Sequence, residues 1–393
     1  MDAGGNMPKR RSIAVVRGFQ ANFAEAMLYK SFLPDYDVTF FYTGAPEADA
    51  RRQLDQLGLQ QLRVCRYRGY TDFIKNTLVQ RGLDYKVGFG SLMLSHLDDV
   101  LSHDVINLVD PIFAHARQIV SRMRPEQKLV YILWENIVGR HHKIYLTARH
   151  RRANIARGDA FLCVSDAARF AFQHSDFDAA RKDALVTRIY PGILIPAARR
   201  PAADEETPTI VFAGRPQWSK GLDYLLAAFA MLRQDFNISA RLCLIGIDPS
   251  AIAAQLADLG IANDTEATGR ISNSAVRERM LGATVYCFPS MVTPNWAEQF
   301  GYGMVEAMAH GLPVVACDSG SIREVCGEDG VYASTGNAYS LAMSLRSVLL
   351  EPDRGRARGE RLRQRAQERY DAEVQGAACY AAIDGLISRT DPS

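Results

Sequence analysis

At 393 residues, with 48% hydrophobic and 23% charged residues and a mean hydropathy of −0.13, the chain has material for two ordinary globular cores. No run nears the ~20 apolar residues that cross a bilayer, and a net charge of only +2 excludes the strongly basic surface typical of nucleic-acid binders. The polar and basic first eleven residues lead only into the short apolar run Ile13–Val16, too short for the core of a signal peptide, so the cytoplasm is the expected compartment. Seven cysteines are scattered without any C-x-x-C pair and read as small buried hydrophobes of a reducing environment. Residues 1–190 hold 27 Lys and Arg against 20 Asp and Glu, and the rest holds 19 against 24. That asymmetry fits either different partners for the two halves or ordinary surface charge.

Ser12–Val16 reads as a buried strand, followed by a turn at Gly18 and a helical pattern from Asn22 to about Phe32. Strand, glycine turn and helix open a parallel βαβ unit, where Gly18 either admits a phosphate or simply makes the turn. Asp35-Tyr36-Asp37 has the D-x-D form of metal-dependent transferases, but it precedes the strand Val38–Tyr42 and reads as a turn. Strands at Gln61–Cys65, Val105–Val109, Leu129–Leu133, Ala160–Val164 and Val186–Ile189 then alternate with helices, which predicts a parallel α/β domain. Arg140–Arg157 concentrates positive charge on a predicted helix. It fits an acidic acceptor, an anionic membrane surface touched peripherally, or a solvated basic face.

Residues 192–208 lose periodicity and gain Pro, Ala and charge, and serve as the predicted linker between a first domain, 1–191, and a second, 209–370. A second βα alternation follows, with strands at Thr209–Phe212, Arg241–Ile245, Thr265–Ala267, Val285–Phe288 and Val314–Ala316, and helices such as Leu222–Leu232 and Ala275–Met280. Arg354–Arg369 is a highly charged helical stretch, and residues 371–393 supply a last helix expected to pack back on the first domain.

Two stretches carry chemistry. Gly214-Arg215-Pro216-Gln217-Trp218-Ser219-Lys220-Gly221 places two cations between a strand end and a helix start, where helix N–H groups add positive potential suited to a diphosphate. A Walker A reading fails because G-x-x-x-x-G-K-[ST] is absent. Pro289–Ala316 carries Glu298 in a loop and Glu306 on a short helix, with Gly301 and Gly303 between them and a stop at Gly311 and Pro313. A dinucleotide fingerprint fails there, since Glu306 stands where a third glycine belongs. Carboxylates placed so, without a metal, accept hydrogen bonds from hydroxyls, in which sugars and ribose are rich. Taken alone, both remain compatible with solvated surface acids.

From about Thr209 to Gly330 the chain resembles the retaining glycosyltransferases of family four. The resemblance rests on Arg215 and Lys220-Gly221, and on the E-x-F-G-x-x-x-x-E-A-M-A-x-G-x-P-V setting from Glu298 to Val314. It also rests on Arg270-Ile271-Ser272, Pro289-Ser290, and Ser319-Gly320 with Glu324 and Gly330. Gly18, Ser165 and Pro191-Gly192 fit loosely. It implies the GT-B fold, two Rossmann-like domains with a cleft between them, and transfer of a sugar from a nucleotide-diphosphate-sugar, a UDP-sugar by default, to a hydroxyl of a glycan, glycolipid or small molecule. Arg215 and Lys220 would hold and stabilise the leaving diphosphate. Glu298 would meet donor-sugar hydroxyls, with the backbone from Phe300 through Gly301 and Gly303 to Met304 close to sugar and phosphate. Glu306 would bind ribose hydroxyls, and the backbone near Ile271 the base. The family is associated with retention of anomeric configuration and needs no metal or separate cofactor.

One departure stands out. After the strand Leu129–Leu133 the family often has a His, whereas this chain reads Trp134-Glu135-Asn136; either Asn136 or Glu135 serves there or the acceptor is held differently, and no catalytic His is assigned. His141 and His142 group with the basic stretch. The competing readings are a nucleotide-sugar epimerase of the same fold, which would consume donor without acceptor, and a non-enzymatic nucleotide-sugar-binding module. The acceptor side, in the first domain, is identified only as phosphate-bearing, lipid-linked or polysaccharide in character.

Overall fold

The computed structural model describes residues 10–18, 23–44, 46–69, 72–74, 79, 92–140, 145–197 and 207–388, with side chains left out at 23, 24 and 145–147. The chain forms two compact units: one takes the residues up to Gly192 together with those from Ala372 onward, the other Ile193–Asp371. His141 and His142 lie outside the described residues.

The first unit is built on seven parallel strands: β1 (Arg11–Val16), β2 (Tyr36–Tyr42), β3 (Arg63–Arg66), β4 (Val105–Val109), β5 (Lys128–Leu133), β6 (Ala160–Cys163) and β7 (Leu185–Arg188). Their order is β3-β2-β1-β4-β5-β6-β7. The register sets Ile13 against Val38 on one side and Val105 on the other. Strands covered on both faces read as continuous apolar runs, and Ala160–Cys163 is buried throughout. The last helix, Ala372–Ser388, packs against the 3₁₀ helix Phe23–Phe32. The Phe32 and Tyr380 rings lie 5.2 Å apart, and Lys30 pairs with Glu373 at 2.9 Å. Asp35 lies in the turn, where it accepts a hydrogen bond from the Tyr380 hydroxyl at 2.9 Å. Asp37 already belongs to β2 and faces Arg10 at 3.6 Å.

The basic stretch differs from a solvated face. Arg151, on the helix Tyr145–Ile155, is 3% exposed and pairs with both Asp110 and Asp176, the latter at 2.6 Å. Arg157 pairs with Asp159 at 2.9 Å, and Arg140 with Glu135 at 3.2 Å. Much of the charge that stands out in the sequence is thus spent inside the unit.

The second unit has six parallel strands: β8 (Thr209–Ala213), β9 (Arg241–Ile245), β10 (Thr265–Gly269), β11 (Val285–Phe288), β12 (Val314–Cys317) and β13 (Val331–Ala333). Their order, β10-β9-β8-β11-β12-β13, is that of a doubly wound dinucleotide-binding sheet, reversing between β8 and β11. The strand β13 and the helix Pro249–Asp258 are absent from the sequence reading, which also left the helix Ala338–Leu350 unassigned. The linker reading is modified at its start, because the Ile193 N–H donates to the Tyr370 carbonyl at 2.8 Å and Arg363 reaches the Pro196 carbonyl at 2.9 Å.

Removing Arg151 would leave two buried carboxylates uncompensated, a loss of ~3–5 kcal/mol for a buried ion pair. Arg151→Met is therefore expected to bring forward the urea transition of the first unit by that amount, with the second unit's transition unmoved. A shift below about 1 kcal/mol would show that the pair is not the anchor described.

Candidate active site

In a doubly wound sheet, the loops at the carboxyl ends of the strands flanking the order reversal splay apart and leave a crevice. In the second unit those loops are the ones after β8 and β11, and they carry Arg215 and Lys220 on one side and Glu298 on the other.

The loop after β8 closes into a single 3₁₀ turn, Trp218–Lys220, and passes through Gly221 into the helix Leu222–Gln234. Gly221 has φ +69, and a Cβ there would fall 1.9 Å from the Pro289 carbonyl oxygen. No side chain fits, so the glycine lets the end of β11 lie directly on the start of the helix. The Met291 N–H donates to the Ser219 carbonyl at 2.8 Å, joining the two loops a second time.

This junction delivers Lys220 Nζ to Glu298 Oε2 at 2.7 Å. The ammonium also lies 5.3 Å from the centre of the Trp296 ring and 5.7 Å from that of Phe288. The Ser290 hydroxyl donates to the same Glu298 oxygen at 3.0 Å. The Glu298 N–H in turn donates to Ser319 Oγ at 3.2 Å, and the Ser321 N–H to the Glu298 carbonyl at 2.9 Å. Both ends of the pair are only partly exposed, 20% for Lys220 and 11% for Glu298. Arg215 contrasts with them: it is exposed, and its guanidinium has no partner among the described residues.

The helix Tyr302–Ala309 starts on Gly301, which has φ +81. A Cβ on Gly303 would meet Tyr286 Oη at 2.7 Å, so this glycine is required by packing on β11. Tyr286 in turn donates to the Ala213 carbonyl at 3.3 Å, tying β11 to the end of β8. Burial raises its hydroxyl first, and the charges of Glu306 and Glu298 add to that rise, which places both acids within electrostatic range of one buried ring. Phe300 and Met304 are buried, so only their backbone can face a ligand.

Glu306 is exposed at the surface, yet enough protein surrounds its carboxyl that desolvation pushes it up to about 7, against a lowering by Arg277. These two observations describe a recess open on one side, and the remaining water tempers the rise. The helix is held from behind by Pro352–Tyr370, the charged stretch of the sequence. A Cβ on Gly359 would lie 2.1 Å from the Gly311 carbonyl oxygen, and Arg363 donates to the Ala309 carbonyl at the helix end.

Ile271 is half-buried just after β10, beside Ser272, whose hydroxyl caps the helix Asn273–Leu281 through the Ala275 N–H at 3.2 Å. Gly18 lies two residues past β1 in the first unit and has no left-handed backbone, so its conformation does not demand glycine. Residues 19–22, which follow it, lie outside the described residues. Glu135 is buried, accepting from the Ile137 N–H at 2.9 Å and from Arg140, and is therefore committed to the loop that holds it. Sequence reasoning missed Tyr286 and Arg277. Tyr286 looks like one more apolar strand residue, and Arg277 like one more charge on an exposed helix.

Residues 197–369 match the family model described as Glycosyl transferases group 1. The MMP alpha-(1->4)-mannosyltransferase of Mycolicibacterium hassiacum is 30% identical over 174 residues, 43% of this chain and 41% of the relative. The phosphatidyl-myo-inositol mannosyltransferase of Mycobacterium leprae is 32% identical over 170 residues, 42% of this chain and 43% of the relative. The matched part thus spans about two fifths of the length of these curated relatives. Among solved structures, sucrose-phosphate synthase from Thermosynechococcus elongatus superposes with a TM-score of 0.74 at 16% identity, over 97% of this chain and 100% of that one. Anabaena Alr3699/HepE in complex with UDP-glucose gives 0.69 at 17% identity, over 95% of this chain and 99% of that one. At such identities the likeness concerns the fold, which is the GT-B fold.

Two outcomes are expected from this geometry. Gly221→Ala forces a side chain against the Pro289 carbonyl and should destabilise the second unit by more than about 2 kcal/mol in urea unfolding; a near-neutral result would contradict the close approach. Because the Glu306 carboxyl is raised, the folded state holds its proton more tightly than the unfolded chain. Stability from this group is full below its ordinary value of 4.5 and is lost as pH rises through about 7. Without ligand, Glu306→Gln should gain thermal stability over the parent between pH 5 and 8 and show no advantage near pH 4; a difference independent of pH would contradict the assignment.

Proposed function

We propose that this chain, whose residues 197–369 belong to the glycosyl transferases group 1 family, transfers a sugar from a nucleotide-diphosphate-sugar to a hydroxyl acceptor. The observation that carries the reading is the Lys220–Glu298 pair at the β8/β11 crevice, with Arg215, which has no side-chain partner among the described residues, on the same loop as Lys220. A sugar leaving a diphosphate builds negative charge on the bridging oxygen. Fixed cations aimed at that charge, in a recess partly closed to water, lower the barrier because they need no reorganisation as the charge develops. Arg215, having no partner to leave among the described residues, would grip the diphosphate bidentately. Lys220, already oriented by Glu298 and two aromatic faces, would follow the charge as a compact cation. With that charge on side chains, the chemistry asks for no metal.

Glu298 would accept hydrogen bonds from donor-sugar hydroxyls. Glu306 would accept from the ribose hydroxyls, and does so best when ionised. The N–H groups at the start of Tyr302–Ala309 add positive potential at the phosphates. Retention of anomeric configuration belongs to this proposal, with the leaving phosphate helping to take the acceptor proton. UDP is the default donor nucleotide, in line with the UDP-glucose complex of the Anabaena neighbour. A glycan, glycolipid or small-molecule hydroxyl is the proposed acceptor class, consistent with the two mannosyltransferase relatives, and peripheral contact with a membrane belongs to the same proposal.

The test is transfer, followed with a panel of nucleotide-sugars chosen first by thermal shift, since a ligand bound only by the native state raises apparent stability. Lys220→Ala and Arg215→Ala are each expected to lower kcat/KM about 10²–10³-fold. Glu306→Ala is expected to weaken donor binding with the fold intact. Full turnover in both the Lys220 and Glu306 variants would sink the assignment, and donor consumption without acceptor would point to an epimerase instead.

A further inference from the structure

Outside every residue invoked for transfer, the first unit gathers three side chains with metal-binding chemistry. Cys65 lies on β3, the edge strand of the seven-stranded sheet. His96 immediately precedes the helix Leu97–Leu101, and Asp99 lies on that helix. One ligand atom from each lies within 4.8 Å of the other two, and His96 Nδ1 is 3.8 Å from Asp99 Oδ2. Six of the seven cysteines are buried and Cys65 is intermediate; within the cluster Cys65 is the buried ligand and His96 the exposed one.

The backbone holds these groups together. Phe41 on β2 registers against Cys65, and the segment before His96 is fastened to the chain beyond β3. The Leu94 N–H donates to the Arg68 carbonyl at 2.8 Å, and the Arg68 N–H to Ser95 Oγ at 2.9 Å. His96 itself takes a left-handed backbone, φ 61 and ψ 13, which L residues rarely adopt and which persists only where neighbours impose it. The turn carries the imidazole toward the carboxylate of the helix it begins.

We propose that Cys65, His96 and Asp99 bind a divalent transition ion of the zinc class, with the remaining position open to solvent. Thiolate and imidazole favour such ions over magnesium or calcium, which take oxygen sets. Ligand atoms around tetrahedral zinc lie about 3.2–3.8 Å apart, so the His96–Asp99 spacing already fits. The Cys65 sulfur lies within 4.8 Å of both, and the partly exposed His96 and Asp99 side chains can close on an ion by small rotations. Arg63 Nη2, now 3.2 Å from Asp99 Oδ2, is the present partner of the carboxylate. Its guanidinium is well exposed, and so open a pair holds the acid weakly. On binding, the Cys65 thiol gives its proton to solvent as the sulfur–metal bond forms, with no change of oxidation state. The bound ion would fasten the sheet edge to the helix Leu97–Leu101.

The full chain, stripped with a chelator, is titrated with Zn²⁺ alone against a chromophoric competitor, and with Co²⁺ for its thiolate absorption band. The expected result is one equivalent bound, with affinity lowered at least about 10-fold in both Cys65→Ser and His96→Asn. Asparagine tolerates the left-handed backbone, so that variant keeps the fold while removing the imidazole. Asp98→Asn, on the neighbouring exposed acid, should bind as the parent does, and the cobalt–thiolate band should vanish in Cys65→Ser. Matching thermal transitions of the metal-free variants and parent establish that the fold is kept, and should Cys65→Ser fail there, His96→Asn decides alone. Absence of stoichiometric uptake, or uptake that either folded variant leaves unchanged, overturns the proposal. The readout uses no nucleotide-sugar, so it stands or falls separately from the transfer reading.

Discussion

The candidate site depends on one ion pair, Lys220 to Glu298, because it is the contact that converts two separate loops into one surface. Two charges at 2.7 Å attract strongly wherever water is thinned, but partial burial also costs hydration, so the pair survives only with help. The help is visible: aromatic faces of Trp296 and Phe288 on the ammonium, and the Ser290 hydroxyl on the carboxylate. Each helper sits on the β11 strand or on the loop that follows it. The pair could not form if Gly221 carried a side chain, since the Pro289 carbonyl occupies that space. A backbone constraint with no charge of its own therefore decides where the charge goes.

From that anchor the two acids take different characters. Glu298 is bonded on one oxygen by a cation and a hydroxyl, so its orientation is fixed before any ligand arrives. Glu306 has only the more distant influence of Arg277, and desolvation holds it near neutrality in pH terms. A carboxylate so poised gains much from a hydroxyl donor, because each new hydrogen bond favours the ionised form. The same asymmetry marks the cations, with Lys220 engaged and Arg215 without a side-chain partner among the described residues. Preorganised and available groups thus alternate around the crevice, which suits a surface that must hold one part of a ligand rigidly and adapt to another.

How much of this was legible in the sequence follows from what each feature needed. Parallel strands buried on both faces announce themselves as apolar runs, so β4, β9 and β11 were readable to the residue. The helix stop at Gly311 was readable from glycine and proline, whereas the start, expected near Gly303, falls at Tyr302 on the cap residue Gly301. β13 was not, since three residues carry no period. The helix Pro249–Asp258 had a readable start in Asp248 and Pro249, a side-chain cap before a proline, and went unassigned all the same. Charge misled most. The arginines of Arg140–Arg157 and of Pro352–Tyr370 look like solvated faces, because sequence shows a charge but not its partner. In the fold, Arg151 bridges two buried aspartates, and Arg363 and Arg365 cap backbone carbonyls behind the candidate site.

The two units share one topology and yet differ at the equivalent place, which separates what the fold supplies from what the residues supply. In the first unit the reversal lies between β1 and β4, and among the described residues Arg17 and Asp110 there are already paired. Arg17, at the end of β1, is buried against Glu25 at 2.9 Å, Asn107 of β4 at 3.0 Å and the Tyr29 hydroxyl at 3.1 Å. Asp110, just past β4, is taken by Arg151. Every one of these groups is compensated from within, and none is left to greet an ion. In the second unit the same topological position leaves Arg215 uncompensated and Glu306 half-desolvated. A doubly wound sheet guarantees a crevice; only unspent charge at its edge makes the crevice a site for a charged ligand, and among the described residues the second unit has it.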